Sequence, residues 1–219
     1  MIAIIDYGMG NLGSVAKAFK AVGAKITVTQ FPKDLDRADK IVLPGVGAFR
    51  NCMLALKKLK LIPSLIKNIE SGKPYLGLCL GMQILFEESA EGGKVKGLGI
   101  FKGKVKRFTS LKVPQIGWNQ IKRKINVGAR FIAPVDNGFD KSNPYIDCPL
   151  LKGVPDGAWM YFVHSYYVAP RDKNIIAATT DYGIDFASMI WKDNIYATQF
   201  HPEKSQKVGM RILENFVRL

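Results

Sequence analysis

Gly77-Leu78-Cys79-Leu80-Gly81 places a cysteine between two glycines, after a short apolar run and ahead of an amphipathic stretch. The layout is that of the G-x-S-x-G nucleophile elbow with sulfur in place of oxygen. A side chain on so sharp a strand-to-helix turn sits on strained backbone, and a Cβ at either flanking position would collide with neighbouring elements. The start of a helix also favours a thiolate electrostatically, and the backbone N–H of Leu80 would face a carbonyl under attack. Cys52, inside a helical stretch, and Cys148, in an irregular one, lack any such setting and read as buried structural cysteines.

A cysteine nucleophile needs a base, and the base needs a partner that fixes its tautomer and stabilises its cation. The sequence holds two histidines. His201 lies in Gln199-Phe200-His201-Pro202-Glu203, where an extended backbone would project His201 and Glu203 to the same side. His164 has no acid two residues away and sits among aromatics, which reads as a core or wall position. Pro44-Gly45-Val46-Gly47 follows a predicted strand, at the sheet edge where open α/β folds bind ligands. An amide from Val46 or Gly47, together with Leu80 N–H, would supply the two donors a tetrahedral oxyanion needs; a simple tight turn is the competing reading of that segment. Gly8-Met9-Gly10-Asn11-Leu12-Gly13 imitates a dinucleotide fingerprint. No acid ends the next strand at Thr29-Gln30, so no nucleotide cofactor is expected.

The elements that must position these residues alternate, in the first half, between β-branched runs and amphipathic stretches, as in βαβ units around a parallel sheet. Strands are predicted at 1–5, 25–29, 40–43 and 75–78. Helices are predicted over 14–22, 51–71 with an interruption at Pro63, and 80–88. The second half reads as shorter, more antiparallel strands at 97–100, 103–108, 159–168, 175–180, 186–191 and 195–200. A last helix follows, capped by Ser205, with Val208, Ile212 and Phe216 on one face. Between about Lys124 and Cys148, Asn, Gly, Pro and Asp dominate and mark an irregular excursion.

Composition bounds the rest. A chain of 219 residues, nearly half apolar, can bury one substantial core, and no run reaches the roughly 18 apolar residues of a membrane span. Three cysteines without a CxxC pair argue against a disulfide framework, and two histidines against a zinc site, so no metal is expected and a cytoplasmic setting is. The formal charge of +14 invites an anionic partner. The lysines are scattered, however, and no nucleic-acid-binding signature accompanies them, so a solvated basic surface is the expectation, with neither nucleic acid nor membrane as partner.

Six segments then occur in order: Asp6-Tyr7-Gly8-Met9-Gly10-Asn11, Pro44-Gly45-Val46-Gly47-Ala48-Phe49, Gly77 to Gln83, Gly117-Trp118-Asn119, Tyr161 to Tyr166, and His201-Pro202-Glu203-Lys204-Ser205. Together they resemble the glutaminase subunit of imidazole glycerol phosphate synthase, a class I glutamine amidotransferase, over nearly the whole chain. The resemblance implies one amidotransferase domain over 1–219: an open, largely parallel central sheet flanked by helices, with antiparallel strands added in the second half. It implies that Cys79 forms a γ-glutamyl thioester with glutamine while His201 and Glu203 complete a triad. Gly47, Gln83 and Ser165 match glutamine-site positions, and Trp118, Asn119, Tyr161 and Lys204 match positions near the cyclase subunit, the implied heterodimer partner that receives the ammonia in histidine biosynthesis. The excursion at about 124–148 is longer than the family's usual connection. It leaves a second acceptor open, since paralogues feed other synthases such as sugar-modifying enzymes; a basic binding module is the reading from another class.

Overall fold

The computed structural model describes residues 1–124 and 148–219, so nearly all of the predicted excursion lies outside the described residues. In chain order the elements are β1 (Ile2–Ile5), α1 (Leu12–Ala21), β2 (Ile26–Thr29), α2 (Pro32–Arg37), β3 (Lys40–Leu43), α3 (Phe49–Lys58), α4 (Leu61–Glu70), β4 (Tyr75–Leu78), α5 (Leu80–Gln83) and β5 (Phe86–Ser89). There follow β6 (Val95–Lys96), β7 (Phe101–Arg107), β8 (Gln115–Gln120), β9 (Lys122–Arg123), β10 (Trp159–His164), β11 (Tyr166–Pro170), β12 (Ile176–Asp181), β13 (Asp185–Lys192), β14 (Ile195–Thr198) and α6 (Gln206–Arg218).

The main sheet runs β2-β1-β3-β4-β14-β13-β11-β7-β5-β6, with β12 and β9 branching from β13. From β2 to β14 every neighbouring pair is parallel, and β14-β13, β13-β11 and β11-β7 are antiparallel. The expected division between a parallel first half and an antiparallel second half is therefore present. Strands β1 and β4 are buried on both faces, which is why they read as unbroken apolar runs. Alternate residues serve two separate cores. Ile2, Ile4, Leu76 and Leu78 pack with Val15 and Phe19 of α1 and with Ile212, Leu213 and Phe216 of α6. Ala3, Ile5, Leu43 and Tyr75 pack with Phe49 and Leu56 of α3 and Leu65 of α4.

Four local expectations are corrected. The helix predicted over 80–88 is the single turn α5, after which the chain extends into β5; Leu80, Met82, Ile84, Leu85 and Phe86 are all buried, so their run carries no helical period. The helical stretch 51–71 breaks not at Pro63 but at Lys60, which adopts a left-handed φ of 56°. Pro63 lies in the first turn of α4, where a missing N–H costs no helical bond. The strand predicted over 159–168 is two strands: β10 pairs with β8 in a separate two-stranded sheet and β11 joins the main sheet, the chain switching sheets at Ser165. The residues 97–100 form a loop rather than a strand. Among the described residues no helix is long and apolar enough to cross a membrane.

Candidate active site

Adjacent parallel strands β3, β4 and β14 end on the same edge, and the three segments that follow them build the site. After β4 comes Cys79, held at a φ of 51°. A Cβ on Gly77 would stand 2.4 Å from Gly81 O, and one on Gly81 would stand 2.1 Å from Leu43 O. The two glycines thus let the turn fold onto itself and onto the end of β3, as the elbow reading requires. Cys79 N–H donates to Thr198 O at 2.6 Å, tying the elbow to β14.

After β14 comes the segment with the second histidine. His201 is 2 % exposed, and its Nδ1 lies 3.0 Å from Glu203 Oε1, whose side chain is also buried. The spacing of the pair predicts that an extended backbone brings them together. Instead the strand stops at Thr198 and Pro202–Lys204 forms a 3₁₀ turn, whose tight curvature carries Glu203 back under the imidazole. Ser205 is not a side-chain cap of α6 either: its hydroxyl donates to His201 O at 2.7 Å and accepts from Tyr161 N at 3.0 Å, pinning the turn to β10. Gly209 of α6 lies against that turn, where a Cβ would meet Pro202 O at 2.0 Å. Gly209→Ala is therefore expected to lower stability by about 1–3 kcal/mol, read from the urea midpoint.

Burial opposes a charged His201, but the neighbouring Cys79 thiol and Glu203 carboxylate outweigh it and push its pKa up to about 10. With Nδ1 on Glu203, the other ring nitrogen, Nε2, is buried and left for Cys79, which His201 adjoins. His164 goes the other way: burial, with the repulsion of His201 added and only Tyr166 O opposing, pulls it down to about 4. It donates from Nδ1 to Tyr166 O at 2.8 Å and packs against Phe108, Phe162 and Phe186, so it is a neutral wall residue.

A cavity of about 400 Å³ opens at this edge. Cys79, Leu80, Val46, Gly47, Gln83, Ser165 and Lys204 all line it, which brings together most of the residues singled out in the sequence. Gly47, with a φ of 99°, and Leu80, the first residue of α5, line this cavity together with the cysteine. His201 and Glu203 lie behind Cys79, outside the cavity lining. The cavity also has two walls that no sequence motif marks, Glu91 and Pro114, while Val163, His164 and Tyr166 come from the Tyr161–Tyr166 segment. Among the described residues Glu91 is the cavity's one carboxylate, and its Oε2 accepts from Phe49 N at 2.7 Å, capping α3 and fixing the preceding Pro44–Ala48 loop.

The remaining predicted residues gather at the rim. Trp118 and Tyr161 are cross-strand partners on β8 and β10 with ring centroids 5.9 Å apart, and Lys204 Nζ lies 5.4 Å over the Tyr161 ring. Asn119 points the other way. Its Nδ2 donates to Asp181 O at 2.8 Å, bracing β8 against the end of β12.

The chain matches the family model for class-I glutamine amidotransferases over residues 3–219. It is 49 % identical to "Imidazole glycerol phosphate synthase subunit HisH" of Syntrophotalea carbinolica, covering 99 % of this chain and 98 % of that one. A protein of the same name from Acinetobacter baylyi is 47 % identical, covering 99 % and 97 %. Among solved structures, a glutamine amidotransferase superposes with a TM-score of 0.72 over all of both chains at 14 % identity. The PurLQS structure from Thermotoga maritima gives 0.69 over 99 % of this chain and 97 % of that one, at 16 % identity. These two share the fold. With an elbow cysteine, a histidine–carboxylate pair behind it and a family match from residue 3 to the last, this chain belongs to the class-I glutamine amidotransferases.

Proposed function

We propose that the chain is the glutaminase subunit of an imidazole glycerol phosphate synthase, with Cys79 as nucleophile, His201 as base and acid, and Glu203 as the group that orients and charges the imidazole. The observation that carries the reading is the buried Glu203–His201 pair placed behind a cysteine that opens into a cavity of about 400 Å³. His201 takes the Cys79 proton, giving a thiolate beside an imidazolium that Glu203 stabilises.

The thiolate attacks the side-chain amide carbon of glutamine, and the electron pair of the carbonyl moves to oxygen. Leu80 N–H with an amide of Val46 or Gly47 stabilises that oxyanion. The imidazolium then protonates the nitrogen, the C–N bond breaks, and ammonia leaves a γ-glutamyl thioester and neutral His201. Water adds next, giving a proton to His201; the C–S bond breaks, its electron pair returns to sulfur, and glutamic acid departs to ionise in solvent. Thiolate and imidazolium are restored together. Gly47, Gln83 and Ser165 hold the glutamine, and Glu91, the cavity's carboxylate, faces the α-ammonium.

The partner is a cyclase subunit docked on the rim, to which the ammonia passes for synthesis of imidazole glycerol phosphate and aminoimidazole carboxamide ribotide. Ile116, Trp118 and Trp159 on the small β8–β10 sheet leave large apolar side chains exposed, 44 % in the case of Trp118, beside Tyr161 and Lys204. An apolar face of this kind at the mouth of a site is an interface in search of its partner. Mixing the protein with an imidazole glycerol phosphate cyclase is expected to raise glutamine turnover and to yield glutamine-dependent imidazole glycerol phosphate. Absence of stimulation sinks the histidine-pathway assignment and points to another synthase as acceptor.

A further inference from the structure

The Cys79 sulfur accepts a hydrogen bond from Gln199 Nε2 at 3.3 Å. Gln199 is completely buried, one residue past β14 and two before His201. Its orientation is dictated by a chain of groups with no freedom to reverse. Tyr166 O can only accept, and it receives His164 Nδ1 at 2.8 Å and Gln83 Nε2 at 3.0 Å. The nitrogen of Gln83 therefore faces Tyr166, and its second N–H donates to Gln199 Oε1 at 3.1 Å. With the Gln199 oxygen committed, its amide N–H is turned onto the sulfur.

A buried N–H aimed at sulfur favours the charged form, because hydrogen bonds to an anion are the strong ones. Here it matters more than in an elbow backed by a long helix: α5 has 4 residues, and so short a turn has little dipole to offer. The sulfur thus has two polar neighbours, the His201 imidazole and the Gln199 amide, and of the two only the amide is a donor whose N–H is not itself passed on in the reaction. We propose that Gln199 is a positioning residue of the glutaminase reaction, whose N–H holds the Cys79 sulfur as a thiolate facing the cavity and receives it again when the thioester is hydrolysed. The five residues 199–203 then carry the thiolate donor, the base and its carboxylate. The proposal rests on the assignment of Cys79 as nucleophile. It also gives Gln83 a second task, since Gln83 fixes which end of Gln199 meets the sulfur.

The test compares wild type with Gln199→Met in the cyclase complex, since methionine keeps the length and bulk of the side chain without the donor. Expected are a rise of about one unit in the pH midpoint of Cys79 alkylation by iodoacetamide, a fall in kcat of about tenfold to a hundredfold, and a KM for glutamine within about threefold of wild type. A higher KM with kcat and alkylation midpoint unchanged overturns the proposal, because the amide would then merely brace Gln83. A measurement on the wild type is independent of how well the variant folds: the Gln199 side-chain amide resonance is expected to shift with the same pH midpoint as alkylation, and a flat resonance over that range overturns the proposal as well. Full glutamine turnover by enzyme already alkylated at Cys79 overturns both the nucleophile assignment and the role of Gln199, whereas the two earlier failures leave the nucleophile standing.

Discussion

Cys79→Ala is expected to reduce glutamine hydrolysis in the cyclase complex by on the order of 10⁴-fold or more, with binding of the cyclase and the urea midpoint nearly unchanged. The sulfur is the only atom of Cys79 that the chemistry uses, and alanine can occupy the same strained, positive-φ backbone at no greater cost. The paired control is what makes the result informative. Cys52 and Cys148 are also buried, and desolvation pushes each thiol up to about 12, so both stay protonated and unreactive at neutral pH. Cys52→Ala and Cys148→Ala should keep full turnover and instead lose roughly 1–2 kcal/mol of stability from the void each leaves. A γ-glutamyl-directed electrophile, added with the partner present, should modify Cys79 alone. Modification of Cys52 or Cys148 by that reagent would break the mechanism.

A residue's role is legible in the sequence when that role is local. The elbow is local: two glycines, a cysteine and the flanking apolar run lie within five positions, and the collisions that a Cβ would make at Gly77 and Gly81 are with the turn itself and the strand next to it. Strands β1 and β4 are legible because burial on both faces leaves no charged position in them. Burial from all sides also explains the failure just after Cys79, where the apolar run 84–86 has no period with which to separate strand from helix.

Non-local roles stay hidden. Glu91 is far from every motif in sequence, and reaches the cavity because the connection between β5 and β6 folds against the start of α3, with Arg50 holding Gly92 O at 2.7 Å. Ser165 looks like the middle of one long strand, and only the change of partners from β8 to β7 shows that the chain turns there to face the cavity. Gln199 stands in view beside His201, yet its use depends on Gln83 and Tyr166 from two other elements. The pairing of His201 with Glu203 is legible by spacing for a reason that is incomplete: two residues apart suits an extended strand, but the contact is made by a 3₁₀ turn.

That turn sets up the second large effect. Glu203→Gln keeps the shape and an oxygen able to accept from His201 Nδ1, but removes the negative charge. A drop in kcat of about 10³- to 10⁴-fold is expected, because the amide neither stabilises the imidazolium nor enforces the tautomer, being able to turn its NH₂ toward the ring. The pH dependence separates this from a merely misplaced base. His201 in the folded protein titrates near 10, above its ordinary 6.5, with the Cys79 thiol and then the Glu203 carboxylate raising it. A group raised in this way contributes stability that is fully present below 6.5, declines as the unfolded chain loses its proton, and is gone once pH passes about 10. Wild type should therefore lose urea resistance between about pH 6.5 and 10 by an amount that Glu203→Gln partly abolishes, and the alkaline limb of its kcat profile should move to lower pH in the variant. If Glu203→Gln left kcat and both profiles as in wild type, the carboxylate would have no part in charging His201, and the base would have to draw its proton affinity from the Cys79 thiolate alone.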